Sequence, residues 1–172
     1  VPIYQIKVTL QGSKPPIWRR LLVRSDITLG DLHSIIQAAF GWWDYHLHQF
    51  IVGGTYYGEP HPEYFDYVEM RDEQEVTLGQ IASGKGFKFR YEYDFGDDWR
   101  HQVLVEKILP PEPGQDYPIC IKGRRACPPE DVGGIWGYYH FLEAVQDPEH
   151  YEHDDYLECV GGEFDPEAFV LE

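Results

Sequence analysis

The sequence lacks the features that mark membrane and secreted proteins. No stretch approaches the ~20 consecutive apolar residues of a transmembrane helix. The N terminus also lacks the basic and then apolar pattern of a signal peptide. Only three cysteines occur, Cys120, Cys127 and Cys159, and an odd, widely spaced set fits reduced thiols better than a disulfide framework. We therefore expect a cytoplasmic protein that does not enter membranes.

Positive charge is also scarce. The chain has 14 Lys and Arg against 30 Asp and Glu, a net charge of −16. Residues 143–172 contain eleven acidic side chains and neither Lys nor Arg. Nucleic-acid affinity depends on basic groups that displace counterions from phosphates, so non-specific binding to nucleic acids is disfavoured. A local patch at Arg19, Arg20 and Arg24 remains an option, and the partner is otherwise expected to be a protein or a small-molecule ligand.

The 172 residues are 42% hydrophobic and 16% aromatic, which suffices for a real core and argues against global disorder. This length predicts a single domain over residues 1–172. Within it we expect a β-grasp-like half at about 1–57 and a second sheet and helical half at about 76–172.

The first half shows the order hairpin, helix, strand. Residues 3–10 and 17–24 alternate between apolar and polar side chains, which predicts two paired strands. Thr28 starts a capping-box pattern, and apolar residues recur at helical spacing from Leu29 to Trp43. Residues 48–52 predict a third strand. This order is typical of a β-grasp unit.

The second half adds strands and then helices. Residues 58–75 have little periodicity and are predicted to be a connecting segment. The predicted strands are 87–95, 99–109 and 117–121, the first two forming a hairpin buried on both faces; the predicted helices are 135–145 and 147–157. The fold class is therefore α+β: a mixed, mainly antiparallel sheet with the C-terminal helices packed on it.

One chemistry-bearing segment is the Asp94–His101 turn. Asp94, Asp97 and Asp98 lie within five residues, and His101 follows three residues later. Carboxylates and an imidazole at this spacing can ligate a divalent metal or act as acid and base. The competing interpretation is structural, with aspartates bonded to turn backbone or paired with nearby arginines.

The second chemistry-bearing segment is the Arg125–Asp131 loop. Cys127 precedes Pro128-Pro129, a stiff run that fixes the thiol relative to Glu130 and Asp131. Neighbouring arginines can lower a thiol pKa, so a nucleophilic or redox Cys127 is one option. The sequence contains no Cys-x-x-Cys pair, which gives little support to a structural zinc site.

His46 and His48 are two residues apart, so on an extended chain both side chains point to the same side. Such a pair can ligate a metal. The alternative is that one ring bonds a backbone carbonyl and the other is solvated.

Several segments together resemble a known family. They are Tyr93-Asp94-Phe95-Gly96-Asp97-Asp98-Trp99 with His101, Arg125-Ala126-Cys127-Pro128-Pro129-Glu130-Asp131 with Gly133-Gly134, and Phe164-Asp165-Pro166. The chain is similar over nearly its whole length to the plasmid pRiA ORF-three-like family, uncharacterised proteins found on plasmids and beside insertion-sequence passenger genes. The resemblance implies an α+β fold and implies no reaction.

Two functions follow from these observations. The favoured one is a non-catalytic binding module that presents the two loops, with binding residues Asp94, Asp97, Asp98, Trp99, Glu130 and Asp131. The alternative is a metal-assisted hydrolase or nuclease-like enzyme. Its catalytic candidates are His101, Arg125 and Cys127. Its divalent-metal ligands are Asp94, Asp97 and Asp98 with Glu130 or Asp131, and His46 and His48 are further metal candidates. Whether the two loops meet in an open cleft decides between these functions.

Overall fold

A computed structural model describes residues 1–44, 46–59, 70–160 and 164–169. Within these ranges the strands are β1 Ile3–Leu10, β2 Ile17–Arg24, β3 His48–Val52, β4 Thr55–Gly58, β5 Met70–Asp72, β6 Lys88–Tyr93, β7 Trp99–Leu109 and β8 Ile119–Arg124. The helices are α1 Leu29–Phe40, α2 Leu78–Ile81, α3 Gly134–Gln146 and α4 His153–Cys159. None of these helices is long and apolar enough to cross a membrane.

The strands form one eight-stranded sheet in the order β5-β4-β3-β6-β7-β1-β2-β8. Only β4 and β5 pair in parallel; the other neighbours are antiparallel. The α+β class with a mainly antiparallel sheet is confirmed. The β-grasp-like arrangement is not, because β6 and β7 lie between β1 and β3. The order of elements along the chain does not specify which later strands insert between earlier ones.

Local sequence signals fix helix α1 at both ends. Thr28 and Asp31 form the predicted capping box, in which each side chain accepts a hydrogen bond from the other residue's backbone N–H. The helix ends at Gly41, whose left-handed backbone (φ 72°) reverses the chain. The helix therefore ends before Trp43, and the prediction that Trp43 lies on the buried face of this helix is wrong. Trp43 is 73% exposed, whereas Trp42 is buried.

The core lies between the sheet and the helices. Every second residue of β7, from Trp99 to Val105, is buried, and the buried face of α1 packs against the same cluster. Tyr138 and Phe141 of α3 join this cluster, so the expected packing of C-terminal helices on the sheet is confirmed for α3. The prediction that the hairpin is buried on both faces is wrong for β7, where Ile108 on the other face is 44% exposed.

Two other segments depart from their predicted structure. The segment 58–75 contains strand β5, three residues whose pairing with β4 has no signal in local periodicity; its residues 60–69 lie outside the described ranges. The last predicted helix begins at His153 and not at Asp147, because Asp147 and His150 form turns.

Candidate functional site

The Asp94–His101 turn and the Arg125–Asp131 loop meet in space. Asp97 Oδ2 accepts a hydrogen bond from the backbone N–H of Gly133 at 3.0 Å. Glu130 Oε1 accepts one from the Tyr93 hydroxyl at 2.9 Å, at the end of β6. Gly134 lies so close that a Cβ there would overlap the carbonyl oxygen of Asp97. The glycine pair after the loop therefore permits the contact between the two motifs.

His46 completes a group of three ligand-type side chains at this junction. Its Nε2 lies 2.6 Å from Asp131 Oδ1 and 3.5 Å from Asp94 Oδ2. This nitrogen is buried and is aligned for a hydrogen bond with neither oxygen. One ligand atom from each of the three residues lies within 4.8 Å of those from the other two. The three side chains thus form one cluster.

Asp94 uses its two carboxylate oxygens differently. Oδ1 accepts hydrogen bonds from the backbone N–H groups of Gly96 (3.2 Å) and Asp97 (3.3 Å), the turn contacts expected of an aspartate. Oδ2 faces His46. Oδ1 therefore makes the contacts of the structural interpretation, whereas Oδ2 is directed at His46. Asp94 and Asp131 also have left-handed backbones (φ 59° and 62°), conformations that are uncommon for residues other than glycine.

The other aspartates of the turn have structural partners. Asp98 pairs with Arg100, with Oδ2 at 3.0 Å from Nε, on the exposed surface. Asp97 bonds Gly133 as described above. Neither belongs to the group around His46.

Two residues expected near the chemistry lie in the core instead. His101 is fully buried on the inner face of β7, where Phe40 and Trp42 pack edge-on against its ring. This burial lowers the pKa of His101 to about 4. Trp99 is also fully buried and stacks on Trp42. The alternating burial of β7 is the signal that places both side chains inside.

Arg125 and Cys127 are anchored elsewhere in the fold, and neither belongs to the group around His46. Arg125 is buried; it donates hydrogen bonds to Glu167 Oε1 (2.9 Å) and to the carbonyl of Pro15 (3.2 Å). Cys127 packs against the core, and burial raises the pKa of its thiol to about 12 despite the nearby Arg19. A thiol with this pKa is protonated at neutral pH, which disfavours the nucleophile or redox role.

A cleft of about 250 Å³ lies beside this junction, lined by Asp44, His46, Leu47, His48 and Glu59. We call it the histidine cleft. His46 and His48 both line it, although only His46 joins Asp94 and Asp131. A larger pocket of about 360 Å³ lies between α1 and β8, but its lining is mostly apolar and includes none of the residues around His46.

A second group of ligand-type side chains includes two residues that line the histidine cleft, Asp44 and His48. His33, Asp44 and His48 offer ligand atoms that lie within 4.8 Å of one another. Burial, followed by the neighbouring His48, lowers the pKa of His33. Sequence reasoning missed His33 and Asp44. For His33 a signal existed, since it lies four residues from Leu29 and three from Ile36 on the buried face of α1.

Comparisons with known proteins show close relatives without an assigned activity. A model of the family described as plasmid pRiA4b ORF-3-like protein matches residues 2–172. The uncharacterised protein y4hQ of Sinorhizobium fredii is 39% identical over 168 residues, 96% of this chain and 85% of that protein. A crystal structure of a protein of unknown function from Methanosarcina mazei Go1 superposes with a TM-score of 0.88 at 39% identity, covering 99% of this chain and 96% of that one.

Proposed function

Since this chain belongs to the plasmid pRiA4b ORF-3-like family and the relatives named above have no stated activity, we propose its function from its own geometry. It binds a divalent metal ion through His46, Asp94 and Asp131 and uses that ion in hydrolytic chemistry.

The position of His46 Nε2 carries the proposal. Buried polar atoms in proteins nearly always have a hydrogen-bond partner, and an ion or water at the site is one explanation for an exception. Here the buried nitrogen has two carboxylate oxygens at 2.6 and 3.5 Å and forms a hydrogen bond with neither. Ligands of a common ion show this relationship, because each points at the ion and not at the other ligand.

The site is open on one side. Asp131 has a side chain 60% exposed, whereas that of Asp94 is 10% exposed. Three protein ligands facing solvent are typical of catalytic metal sites, which keep a position for water, whereas structural zinc sites are closed by four ligands. A metal ion in such a site lowers the pKa of its bound water and supplies the nucleophile for hydrolysis. One imidazole with two carboxylates suits Zn²⁺ or Mn²⁺ better than Ca²⁺, which prefers oxygen ligands alone.

The structure also bears on the other residues of the two functional hypotheses. His101 is not the proposed base, because its ring is enclosed by aromatic side chains. The prediction of a non-catalytic interaction module stays a prediction and ranks second. Two of its binding residues are engaged within the chain, Trp99 in the core and Asp98 with Arg100.

Calorimetric titration of metal-stripped protein with Zn²⁺ and Mn²⁺ tests the metal site. His46→Gln, Asp94→Asn and Asp131→Asn should each lower the number of bound ions by one or weaken one binding event at least tenfold. Asp98→Asn is the matched control, because it removes a carboxylate from the same turn outside the group of three. Wild-type binding in all three ligand variants would overturn the proposal.

Hydrolysis is tested on the metal-loaded protein with p-nitrophenyl acetate, p-nitrophenyl phosphate and bis-p-nitrophenyl phosphate. We expect turnover of at least one ester class that Asp131→Asn abolishes and Asp98→Asn retains. An ion bound at His46 without turnover of any of these esters would contradict the catalytic part of the proposal.

A further inference from the structure

The face of the sheet opposite the core concentrates the positive charge of this acidic chain. We infer that this face binds single-stranded nucleic acid, RNA or DNA, through its phosphodiester backbone. None of the proposed metal ligands lies among the residues of this face, so its function is independent of the hydrolytic one proposed above.

The alternation of side chains along the strands defines this face. Val8 and Ile17 belong to the core cluster, so the neighbouring Lys7 and Trp18 point to the opposite side of the sheet. The apolar side chains that α1 and α3 bury join the same core cluster. Both helices therefore pack on the other side and leave the face of Lys7 and Trp18 uncovered.

Strand register places six basic side chains of this face in two rows across strands β8, β2, β1, β7 and β6. The first row contains Lys122, Arg20, Lys7 and Lys88, and the second contains Arg124 and Arg90. Because neighbouring strands lie about 4.8 Å apart, each row is about 19 Å long. We call these six residues the basic face.

The cations of the basic face outnumber their counterions. Glu106 binds Arg20, with Oε1 at 2.7 Å from Nε, and Glu92 pairs with Arg90 at 3.4 Å. The other four cations form no ion pair with any residue that the structure describes. The basic face therefore keeps a net positive charge, although the whole chain carries −16.

Folding alone does not favour this arrangement. Arg20 lies directly opposite Lys7 on β1 and directly opposite Lys122 on β8. Like charges that face each other on paired strands destabilise a sheet. An anionic partner removes this repulsion, and rows of cations on one face are the electrostatic footprint of nucleic-acid binding.

The basic patch expected from the sequence contributes only one residue. Of Arg19, Arg20 and Arg24, only Arg20 belongs to the basic face. Arg19 is buried on the core side, with its guanidinium 4.5 Å from the centroid of the Phe169 ring. Arg24 pairs with Asp26 at 2.8 Å. Net charge and sequence neighbours therefore do not reveal a surface that the sheet assembles from five strands.

Groups suited to nucleotides lie among the cations. The Trp18 ring holds two of them, with Lys7 Nζ 4.6 Å and Arg20 Cζ 4.9 Å from its centroid. A depression of about 300 Å³ opens beside the second row, and Ile51, Arg90 and Gln102 are part of its lining. Unstacked bases bind by stacking on arginine planes and by hydrogen bonds to polar side chains. This depression offers both kinds of contact.

The position of the cations on a sheet face favours a single strand over other anionic partners. Peptides typically bind along a sheet edge or in a groove, whereas several kinds of domain bind single strands on a sheet face with basic and stacking side chains. A long duplex would also bring phosphates against the acidic remainder of the chain, whose net charge repels them.

Fluorescence anisotropy of labelled oligo(dT) and oligo(U), each about 16 nucleotides long, tests binding to the full chain. EDTA is present so that no metal-dependent cleavage of the probe interferes. Lys88→Glu and Lys122→Glu reverse the charge at the two ends of the first row, where both side chains are exposed. Arg71→Glu is the matched control, because it makes the same charge change on β5, at the sheet edge farthest from β8. Circular dichroism checks that each variant is folded.

We expect at least one of the two strands to bind, each basic-face variant to weaken binding at least tenfold, and Arg71→Glu to bind like the wild type. The slope of log affinity against log salt should fall by about 0.7 when Lys88→Gln or Lys122→Gln removes one phosphate contact.

Absence of binding of both strands to the folded wild type at low salt overturns the inference. Equal weakening by Arg71→Glu and by the basic-face variants also overturns it. Tighter binding of an oligo(dA)–oligo(dT) duplex overturns the assignment to single strands. Tighter binding of labelled polyglutamate overturns the assignment to nucleic acid and identifies an acidic protein segment as the partner.

Discussion

Asp97 and Gly133 join the two sequence motifs of this protein: the Asp97 carboxylate accepts the Gly133 backbone N–H at 3.0 Å. Asp97 follows Asp94 by three residues and Gly133 follows Asp131 by two, so the contact joins the segments that carry both aspartates of the His46 group. It fixes the distance between a turn on the sheet and a loop that precedes α3. The geometry of the proposed metal site therefore depends on a hydrogen bond made by a residue that is not one of its proposed ligands.

Replacing Asp97 should weaken metal binding indirectly. Asp97→Ala removes the acceptor of the Gly133 N–H, which we expect to lower stability by about 0.5–1.5 kcal/mol and to weaken binding at the His46 site. Asp97→Asn keeps an acceptor oxygen and should restore most of both losses. Urea unfolding and Mn²⁺ titration of the two variants measure this. Equal metal affinity in Asp97→Ala and the wild type would show that the contact does not position the ligands.

Gly134 should tolerate no side chain. Its backbone has a φ of 72°, and a Cβ would overlap the carbonyl oxygen of Asp97. We expect Gly134→Ala to destabilise the protein by on the order of 1–3 kcal/mol and to separate the two loops. Gly84→Ala is the control, because a Cβ at Gly84 meets nothing within 4 Å. Thermal melts should show a clear drop for Gly134→Ala only, and equal melting temperatures would contradict the close approach of the loops.

Stability should fall in mild acid because of His101. Burial lowers the pKa of His101 to about 4 from its usual 6.5, so between these values the unfolded chain binds a proton that the folded chain does not. The free energy of unfolding is therefore highest above about pH 6.5. It falls as the pH falls, and the loss from His101 is about 2 kcal/mol at pH 5. The lowered pKa of His33 acts in the same direction.

Urea unfolding in chelator at pH 7 and pH 5 measures this loss. His101→Gln should be less stable at pH 7 but should lose less stability on going to pH 5. His140→Gln is the control, since His140 pairs with Glu152 at the surface of the helices. An unchanged pH dependence in His101→Gln would show that His101 is accessible to protons in the folded chain.

The cysteines should differ in reactivity. The pKa of the Cys127 thiol is raised to about 12 by burial, whereas Cys159 is exposed. Alkylation depends on the thiolate fraction and on access. Iodoacetamide at neutral pH should therefore label Cys159 first and Cys127 only after unfolding, as followed by mass spectrometry of peptides. Rapid labelling of Cys127 in the folded protein would revive the nucleophile hypothesis.

Local patterns predicted the elements better than their arrangement. Strands β1, β2, β3 and β7 have the expected bounds because alternation of apolar side chains reports a strand's own buried face. The position of β6 and β7 between β1 and β3 depends on pairing between distant segments, which periodicity does not encode.

The site was predicted in pieces for the same reason. His46, Asp94 and Asp131 were each recognisable as ligand types, but they come from three separate segments that only the sheet brings together. His33 was concealed on an apolar helix face. His101 shows that residues close in sequence can be separate in the structure. It lies near the aspartates in the sequence, but its ring packs in the aromatic core.

The most direct test is anomalous diffraction from crystals grown with Zn²⁺ and measured on both sides of the zinc absorption edge. We expect an anomalous peak within about 2.0–2.2 Å of His46 Nε2 and of the facing oxygens of Asp94 and Asp131, the usual zinc–ligand distances. Clear density for these three side chains without a peak between them, in protein that is saturated with zinc, would contradict it.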